Sequence, residues 1–280
     1  MSKNNRTNYY FLPEKYQEKH DMCEFLITQI ESFITDNAYS ELKYHSIQLE
    51  ENINIDKDEH ILDFLLRTKG KEQHDKIILA SIIHSTIIDI CYFVQEALLT
   101  SLKQRLTVTF ALLRKPFVYD LVILLRAFFT DDFIDEFNSD PKFDATKLAK
   151  RDLKELLSIS TEHLTTNNVS PSVYINANEL YDFIFNKAKD DSLINITNKA
   201  LHPSTTYNEN NLTGVQNLNF FFSTKADIET QWDYVYRRLP YFLLYMNELI
   251  ETIMFGFLQF DTDNLIQRIE ERAEFFSAKE

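Results

Sequence analysis

Residues 72–103, EQHDKIILASIIHSTIIDICYFVQEALLTSLK, decide the fold. Through the centre of this stretch, from Ile77 to Val94, apolar side chains occupy nearly every face of a helix. A helix that is apolar all round must be surrounded by other elements. The same stretch contains Asp89, and an ionised aspartate at mid-membrane costs about 2.5–3.5 kcal/mol on insertion scales. We therefore predict a buried core helix and no association with a membrane.

Glycine is scarce, with 3 residues in 280, whereas it usually makes up about 7% of a protein. Phosphate-binding loops, tight hairpins and dinucleotide folds need glycine for positive φ or for close approach of the backbone. Gly70, Gly214 and Gly256 are too scattered to build a P-loop or a Rossmann fingerprint. The composition and the helical periodicity together predict an all-α protein. We expect an elongated multi-helix bundle whose long central helices are kinked at Pro116 and Pro240.

Apolar side chains at helical spacing predict further helices on both sides of the core helix. They are expected over residues 13–34, 58–68, 105–137, 145–157, 172–189, 191–201, 232–257 and 261–276. Residues 215–222, VQNLNFFF, alternate in polarity, which leaves a short strand or a helix cap as alternatives. We divide the chain into an N-terminal helical appendage (1–70) and a main bundle (71–280), with one continuous domain as the alternative.

The charge of the chain is acidic overall but uneven along the sequence. It carries 29 basic and 43 acidic residues, a net charge of −14, which repels nucleic acid unless a local basic patch overrides it. One segment, 97–130, has five basic side chains against one acidic side chain, or +4. Its charged residues are Lys103, Arg105, Arg114, Lys115 and Arg126, with Asp120. This segment is the one place where the sequence favours an anionic partner.

The N-terminus and the two cysteines indicate a cytoplasmic location. MSKNNRTNYYFLPEK, residues 1–15, contains no apolar segment typical of a signal peptide. Cys23 and Cys91 lie in apolar helical patterns and have neither disulfide nor metal-ligand spacing, so we expect buried, reduced thiols. Aromatic residues make up 14% of the chain, and their enrichment at interfaces favours a homo-oligomer, in the simplest case a homodimer.

Residues 111–116, ALLRKP, place an arginine among apolar side chains just before a proline. A guanidinium in such surroundings needs an anionic partner. One interpretation is a salt bridge to a core carboxylate such as Asp89 or Asp120. The other is a pocket for a phosphate group or an RNA backbone.

Residues 198–204, NKALHPS, place His202 at the end of a helix. The structural interpretation is a histidine stabilised by the helix dipole, and the functional one is a general acid or base near neutral pH. Our candidate catalytic residues are Arg114 and His202. The candidate binding residues are Lys115, Arg126, Asn198, Lys199, Arg237 and Arg238.

A Leu-Leu-Arg helix (112–114) followed by a polar helix ending in His-Pro-Ser (202–204) resembles the HEPN (higher eukaryote and prokaryote nucleotide-binding) superfamily, over about residues 75–260. That superfamily contains helical ribonucleases of toxin–antitoxin and phage-defence systems. The resemblance implies a defence or stress-response protein that binds RNA or a partner protein. The nuclease signature of these proteins is an arginine four to six residues before a histidine. The nearest pattern here, Arg67 to His74, crosses Gly70 and carries Thr68 where Asn, Asp or His is usual, so we take it as chance.

Two other functions stay open. One is a non-enzymatic interaction or scaffold protein in which Arg114 is purely structural. The other is a Mg²⁺-dependent diphosphate enzyme of the isoprenoid type, since Asp131, Asp132 and Asp135 share a helical face. The second acidic motif of such enzymes is missing, and no pair of histidines has zinc-ligand spacing. We expect no cofactor.

Overall fold

A computed structural model describes residues 8–48, 56–167, 175–207, 209 and 212–278. Within these ranges every regular element is helical, which confirms the all-α multi-helix bundle. The elements are α1 (Glu14–Thr35), a 3-10 turn (Asn37–Leu42), α2 (Ile61–Lys69), α3 (Lys71–Leu102), α4 (Leu106–Arg114), a π-helix (Lys115–Asp120), α5 (Leu121–Phe129), α6 (Phe133–Ser139), α7 (Lys150–Asn167), α8 (Ala177–Ile184), α9 (Leu193–Leu201), α10 (Lys225–Glu251), a second π-helix (Thr252–Phe257) and α11 (Thr262–Ser277).

The core helix α3 begins and ends within one residue of its predicted bounds. Ile83, Ile87 and Val94 are fully buried, and α3 packs against α1 and α4. Cys91 on α3 and Cys23 on α1 are both buried and unpaired, as expected from their apolar neighbours. One face of α3 lies at the surface, where Ser85, Tyr92 and Leu99 are exposed, so the expectation of a helix surrounded by other elements is met only in part.

Residues 61–102, which comprise α2 and α3, are long and apolar enough to cross a membrane by length and composition. They are interrupted at Gly70, whose φ of 81° lies in the left-handed region. Half of the apolar window is buried inside the fold. A single such segment is weak evidence for a membrane span, because core helices of water-soluble proteins have the same composition.

Helix α1 shares the main hydrophobic core with α3 and α10, and Leu26, Ile27 and Ile30 are completely buried there. This packing favours one continuous domain over an N-terminal appendage. Helix α2 contributes instead to a small separate cluster with the first turns of α3. The domain boundary at residue 70 stays a prediction. Of residues 1–15, which we examined for a signal peptide, 1–7 lie outside the described residues.

The interruption expected at Pro116 takes the form of a π-helix. Proline has no backbone N–H and crowds the preceding turn; here the chain stays helical but widens over Lys115–Asp120 before α5 begins. The N–H of Leu121 donates to the carbonyl of Pro116 across this wider turn. Single π-turns of this kind are frequent at functional sites. Pro240 lies inside α10, which continues through it.

Some predicted helix boundaries were wrong, because local backbone geometry sets where these helices begin and end. The stretch predicted over 105–137 stops at Thr130, whose φ of −127° and ψ of 123° are extended. Helix α7 begins at Lys150, five residues later than predicted, and α8 ends at Ile184. Residues 168–174, where we placed the start of a helix at 172, lie outside the described residues.

Residues 215–222 form turns and no strand. Gln216 and Phe220 have φ values of 59° and 61°, which a β-strand does not allow. The alternation of polarity in this segment therefore does not mark two faces of a sheet.

Candidate functional site

A groove of about 710 Å³ lies between the first π-helix, the start of α7 and the region from α8 to α9. The charged side chains that line it are Arg114, Lys147, Lys150 and Lys187. No acidic side chain of the described residues lines it, although the chain as a whole carries −14. The apolar and aromatic lining comprises Val118, Tyr119, Val122, Leu148, Ala149, Leu153, Tyr181, Phe185, Ala188 and Ile194. We call this feature the basic groove.

Arg114 reaches the basic groove from the last turn of α4, and its guanidinium is held by neutral groups. Its Nε–H donates to the Tyr119 hydroxyl at 2.9 Å. One terminal nitrogen donates to Thr197 Oγ1 at 3.2 Å and to Asn198 Oδ1 at 2.5 Å. Among the described residues, no carboxylate forms a salt bridge with Arg114; Asp89, one of the two expected partners, binds Lys115 instead.

The neutral partners fix the position of the guanidinium without cancelling its charge. Thr197 is fully buried in α9, so the two contacts to α9 tie Arg114 to a rigid element. The structure thereby brings together Arg114 and Asn198, two of the candidate residues, although 84 positions separate them in the chain. Its positive charge is therefore held in place without a carboxylate partner among the described residues.

Two lysines of the groove, Lys147 just ahead of α7 and Lys150 at its first position, differ in how their charge is compensated. Lys147 forms a salt bridge of 3.2 Å with Asp144. The hydroxyl and the N–H of Thr146, together with Lys147, lower the pKa of Asp144 to about 2. Lys150 forms no salt bridge within the described residues, and its Nζ lies 5.7 Å from the ring centroid of Tyr181. Cation–π contacts of this kind orient an ammonium and leave its charge in place.

Lys115, the neighbour of Arg114, does not belong to the basic groove. Its Nζ contacts the carboxylate of Asp89 on α3 and lies 4.9 Å from the ring centroid of Phe93. The charge of Lys115 is therefore paired within the protein.

Arg126 also lies outside the basic groove. Its side chain is buried, and it donates to the backbone carbonyls of Asp144 at 2.8 Å and Lys147 at 3.2 Å. It forms a salt bridge of 3.2 Å with Glu136 and lies over the ring of Phe143. Arg126 thus anchors the connection that leads into α7. The basic segment 97–130 consequently does not form one patch, since only Arg114 of its cations lines the groove.

His202 and Lys199 lie outside the basic groove. His202 is exposed just after α9, and its backbone N–H donates to the Asn198 carbonyl at 3.0 Å. The structure does not bring its imidazole into the groove that Arg114 lines. Lys199 lines a different groove of about 290 Å³, formed with residues of the connection to α10.

Arg237 and Arg238 lie on α10, away from the basic groove. Arg237 is exposed and pairs with Asp233 at 2.9 Å. Arg238 contacts the carboxylate of Asp191 and lies between the rings of Tyr234 and Phe183, 4.3 and 5.3 Å from their centroids. Both arginines line a separate groove of about 370 Å³.

The Arg67–His74 pattern does not form a nuclease site. Arg67 makes a bidentate pair with Glu59, at 2.9 and 2.7 Å. His74 lies after Gly70, in the first turns of α3, and is buried. Its Nδ1 lies 2.8 Å from Asp75 Oδ1, within hydrogen-bond distance. Each side chain therefore has its own local partner, in agreement with a chance match.

The aspartates proposed for Mg²⁺ do not form a metal site. No group of three or more His, Cys, Asp or Glu side chains within the described part of the chain could hold a metal ion. Asp135 binds Lys71 at 2.6 Å, and Asp131 and Asp132 are exposed ahead of α6. The structure therefore does not support the three aspartates as a Mg²⁺ site, on which the interpretation as a diphosphate enzyme depended.

The sequence reasoning missed the lysines that accompany Arg114. The signal was present: residues 147–154, KLAKRDLK, hold four basic side chains and one acidic side chain. Over the longer stretch 131–194, acidic residues on either side outweigh this cluster. A window of one or two helical turns would have shown a basic start to α7.

The basic groove supplies positive charge and an apolar surface. None of its described lining residues is a histidine, a cysteine or a carboxylate, so its titratable side chains besides Arg114 are lysines and tyrosines. No known protein family, curated protein or solved structure matches this chain. The arrangement is suited to binding an anion.

Proposed function

We propose that the protein binds RNA in the basic groove, as a HEPN-like helical protein of a bacterial defence or stress response, and that it does not cleave the RNA. The observation that carries the proposal is the uncompensated guanidinium of Arg114 in a groove whose charged lining is entirely basic. The absence of His202 from that lining favours binding over nuclease activity.

Phosphate groups are the anions that this arrangement suits best. A guanidinium donates well to phosphate oxygens. In Arg114 the Nε and one terminal nitrogen already donate to Tyr119, Thr197 and Asn198, so the other terminal nitrogen is the donor left for a phosphate. The ammonium of Lys150 in the same groove adds a second charge. The net charge of −14 repels nucleic acid elsewhere on the surface. Binding should therefore be confined to the groove and be strongly dependent on salt.

Replacing Arg114 by alanine should weaken RNA binding at least tenfold. Removing one phosphate contact also lowers the slope of log K against log salt by about 0.7 for a single strand. Fluorescence anisotropy of a labelled RNA oligomer, titrated at several salt concentrations, measures both quantities.

Arg237→Ala is the matched control, since it removes the same charge at an exposed site outside the groove. It should leave the affinity within about twofold. Equal losses in the two variants would show a non-specific charge effect, and no RNA binding by the unaltered protein would refute the proposal.

Replacing Asn198 by aspartate separates a functional Arg114 from a structural one. The new carboxylate would lie where Asn198 Oδ1 now accepts from Arg114 at 2.5 Å, and a charged hydrogen bond there should stabilise the fold by about 1 kcal/mol. The same change neutralises the guanidinium, so RNA affinity should fall at least tenfold while the melting temperature rises.

The scaffold interpretation predicts a different pair of results for Asn198→Asp. If Arg114 is purely structural, the melting temperature rises and RNA binding is unchanged. Thermal unfolding followed by circular dichroism and the anisotropy titration are run on the same preparation. Homo-oligomerisation and a cytoplasmic location stay predictions alongside this proposal.

A further inference from the structure

The connection between α9 and α10 exposes large apolar side chains. We call residues 203–224 the α9–α10 loop, of which the structure describes 203–207, 209 and 212–224. Its exposed apolar side chains are Tyr207, Leu212, Val215, Leu218, Phe221 and Phe222. Val215 is 95% exposed, and Phe221 and Phe222 are 69% and 67% exposed, so these side chains stand out into solvent. Neighbouring apolar side chains exposed in this way mark a surface that contacts something other than water.

The α9–α10 loop carries almost no charge. Residues 210–224, NNLTGVQNLNFFFST, contain no Asp, Glu, Lys or Arg, whereas 26% of the chain is charged. Glu209 is the one charged residue between 203 and 224. Moving a surface out of water is costly where it carries ions that must lose their hydration. The loop avoids that cost, although the chain as a whole carries −14.

Contacts with the bundle and within the loop hold the α9–α10 loop in place. The ring of Phe220 packs against Phe110 on α4, with 5.7 Å between the two centroids. Inside the loop, the N–H of Thr213 donates to the Thr205 carbonyl at 3.0 Å, and the N–H of Thr205 donates to Thr213 Oγ1 at 2.8 Å. These backbone groups therefore keep their partners when the exposed side chains leave water, which lowers the cost of that transfer.

We propose that the α9–α10 loop inserts its exposed apolar side chains into the surface of an electrically neutral lipid bilayer. A bilayer is fluid, so it accepts side chains that stand out into solvent without the matching shape that a protein partner would have to supply. Apolar and aromatic side chains bind at the boundary between headgroups and acyl chains in proportion to the apolar area they bury. Neutral headgroups fit this chain because anionic lipids would repel its net charge of −14.

The proposed contact rests on the membrane and does not cross it. The expectation of no association with a membrane was drawn from Asp89 within the apolar core helix, which argues against a membrane-spanning helix. It does not bear on a loop at the surface. None of the described residues of the α9–α10 loop lines the basic groove. The inference thus goes beyond RNA binding, and either proposal can fail without the other.

Flotation of the full chain with lipid vesicles tests the inference. The probes are vesicles of pure phosphatidylcholine and vesicles in which one third of the lipid is the anionic phosphatidylglycerol. We expect the protein to float with the phosphatidylcholine vesicles. It should bind the anionic vesicles more weakly at low salt, and the difference should shrink at high salt because salt screens the repulsion.

Serine at both Phe221 and Phe222 should lower binding to phosphatidylcholine vesicles at least tenfold, since two large apolar side chains no longer leave water. Both positions are exposed, so the fold should tolerate the change. The matched control replaces Ile61 and Leu66 by serine, because these side chains are 61% and 45% exposed on α2, outside the loop. The control pair and Arg114→Ala should leave vesicle binding within about twofold.

A tryptophan placed in the loop reports insertion directly. The single tryptophan of the chain, Trp232, is buried, so its emission should not respond to vesicles. Emission from Val215→Trp should shift to shorter wavelength when phosphatidylcholine vesicles are added. Tyr92→Trp, at an exposed position of α3, should show no shift.

Several results would overturn the inference. A protein that stays in solution with both kinds of vesicle, or that binds only the anionic kind, contradicts insertion into a neutral bilayer. Equal binding by the unaltered protein and the Phe221 and Phe222 double variant places the contact elsewhere. If the protein does not float and the double variant lowers its oligomeric state in sedimentation, the loop is instead a contact between copies of the chain.

Discussion

Replacing Glu251 by alanine should lower the free energy of unfolding by about 3–5 kcal/mol, the range found when a buried ion pair loses one partner. Glu251 lies on α10 and is bound by two arginines of α11. Arg272 donates to both of its carboxylate oxygens at 2.6 Å, and Arg268 donates to Oε1 at 2.8 Å. All three side chains are at most 6% exposed. The variant would leave two buried guanidiniums without the carboxylate that binds them both, although the charge of Glu248, which is also buried on α10 and acts on Arg272, would remain.

The surrounding polar groups of α1 cannot replace the carboxylate. Arg268 also donates to Ser32 Oγ at 2.6 Å and to the backbone carbonyl of Gln29 at 2.9 Å, and Arg272 donates to Gln29 Oε1 at 3.0 Å. These acceptors are neutral. They satisfy hydrogen bonds but do not offset charge in a buried environment, where desolvation costs several kcal/mol per ion.

Urea unfolding followed by circular dichroism measures the effect, with Asp233→Ala as the control. Asp233 also lies on α10, but its pair with Arg237 is exposed, so its loss should cost at most about 1 kcal/mol. A loss below about 1.5 kcal/mol in Glu251→Ala would show that water reaches the arginines. Glu251→Gln, which keeps the size and an acceptor oxygen, should give an intermediate loss.

The arginines of α11 show where sequence patterns mislead. The helix itself was predicted from its thin apolar stripe over 261–276, and it forms over Thr262–Ser277. Yet its fully buried residues are Arg268 and Arg272, not the aliphatic ones. A helical pattern treats arginine as a surface residue. The missing information is the carboxylate on another helix that makes burial of these arginines favourable.

Helix positions followed from the sequence wherever burial is extensive. The core helix α3 and the last helices have apolar residues that persist over many turns, so hydrophobic periodicity alone locates them. The prediction failed between residues 130 and 150, where short polar contacts set the path. There the carboxylate of Asp144 accepts from the N–H and the hydroxyl of Thr146, which holds a turn ahead of α7.

The candidate site was only partly accessible from the sequence. Arg114 stood out because it lies among apolar residues, and that local feature survives in the structure. The partners of Arg114 could not be identified from the sequence, because Thr197 and Asn198 are brought to it by the packing of α4 against α9. Which cations are neutralised, such as Lys115 by Asp89, is likewise decided by contacts between distant segments.

Replacing Asp120 by asparagine should stabilise the protein by up to about 4 kcal/mol above pH 7, and by much less near pH 4. Asp120 ends the first π-helix, is 3% exposed, and its Oδ2 has no hydrogen-bond partner. Burial, with a smaller contribution from the negative charge of Asp89, raises its pKa from 3.8 to about 7. Each pKa unit corresponds to about 1.4 kcal/mol.

The sign of the pH dependence follows from proton linkage. The folded protein binds the Asp120 proton more tightly than the unfolded chain does, so the neutral carboxyl favours folding below about pH 4. As the pH rises from about 4 to 7, the unfolded chain loses its proton while the folded chain retains it. Ionisation therefore favours the unfolded chain increasingly between about pH 4 and pH 7, and the resulting loss of stability is constant above about pH 7. Asparagine at position 120 has no proton to lose and removes this dependence.

Urea unfolding of the unaltered protein and of Asp120→Asn, at several values between pH 4.5 and 8.5, tests the prediction. The difference between the two should increase with pH and level off above about pH 7. Asp233→Asn, at an exposed site of α10, should show a small difference with little dependence on pH. A constant difference for Asp120→Asn would mean that the carboxyl titrates alike in the folded and unfolded chains, which would require solvent or an unrecognised donor at Oδ2. A difference that increases with pH and then levels off would show that the ionised Asp120 carboxylate destabilises the fold at neutral pH. Asp120 belongs to the π-helix that directly follows Arg114.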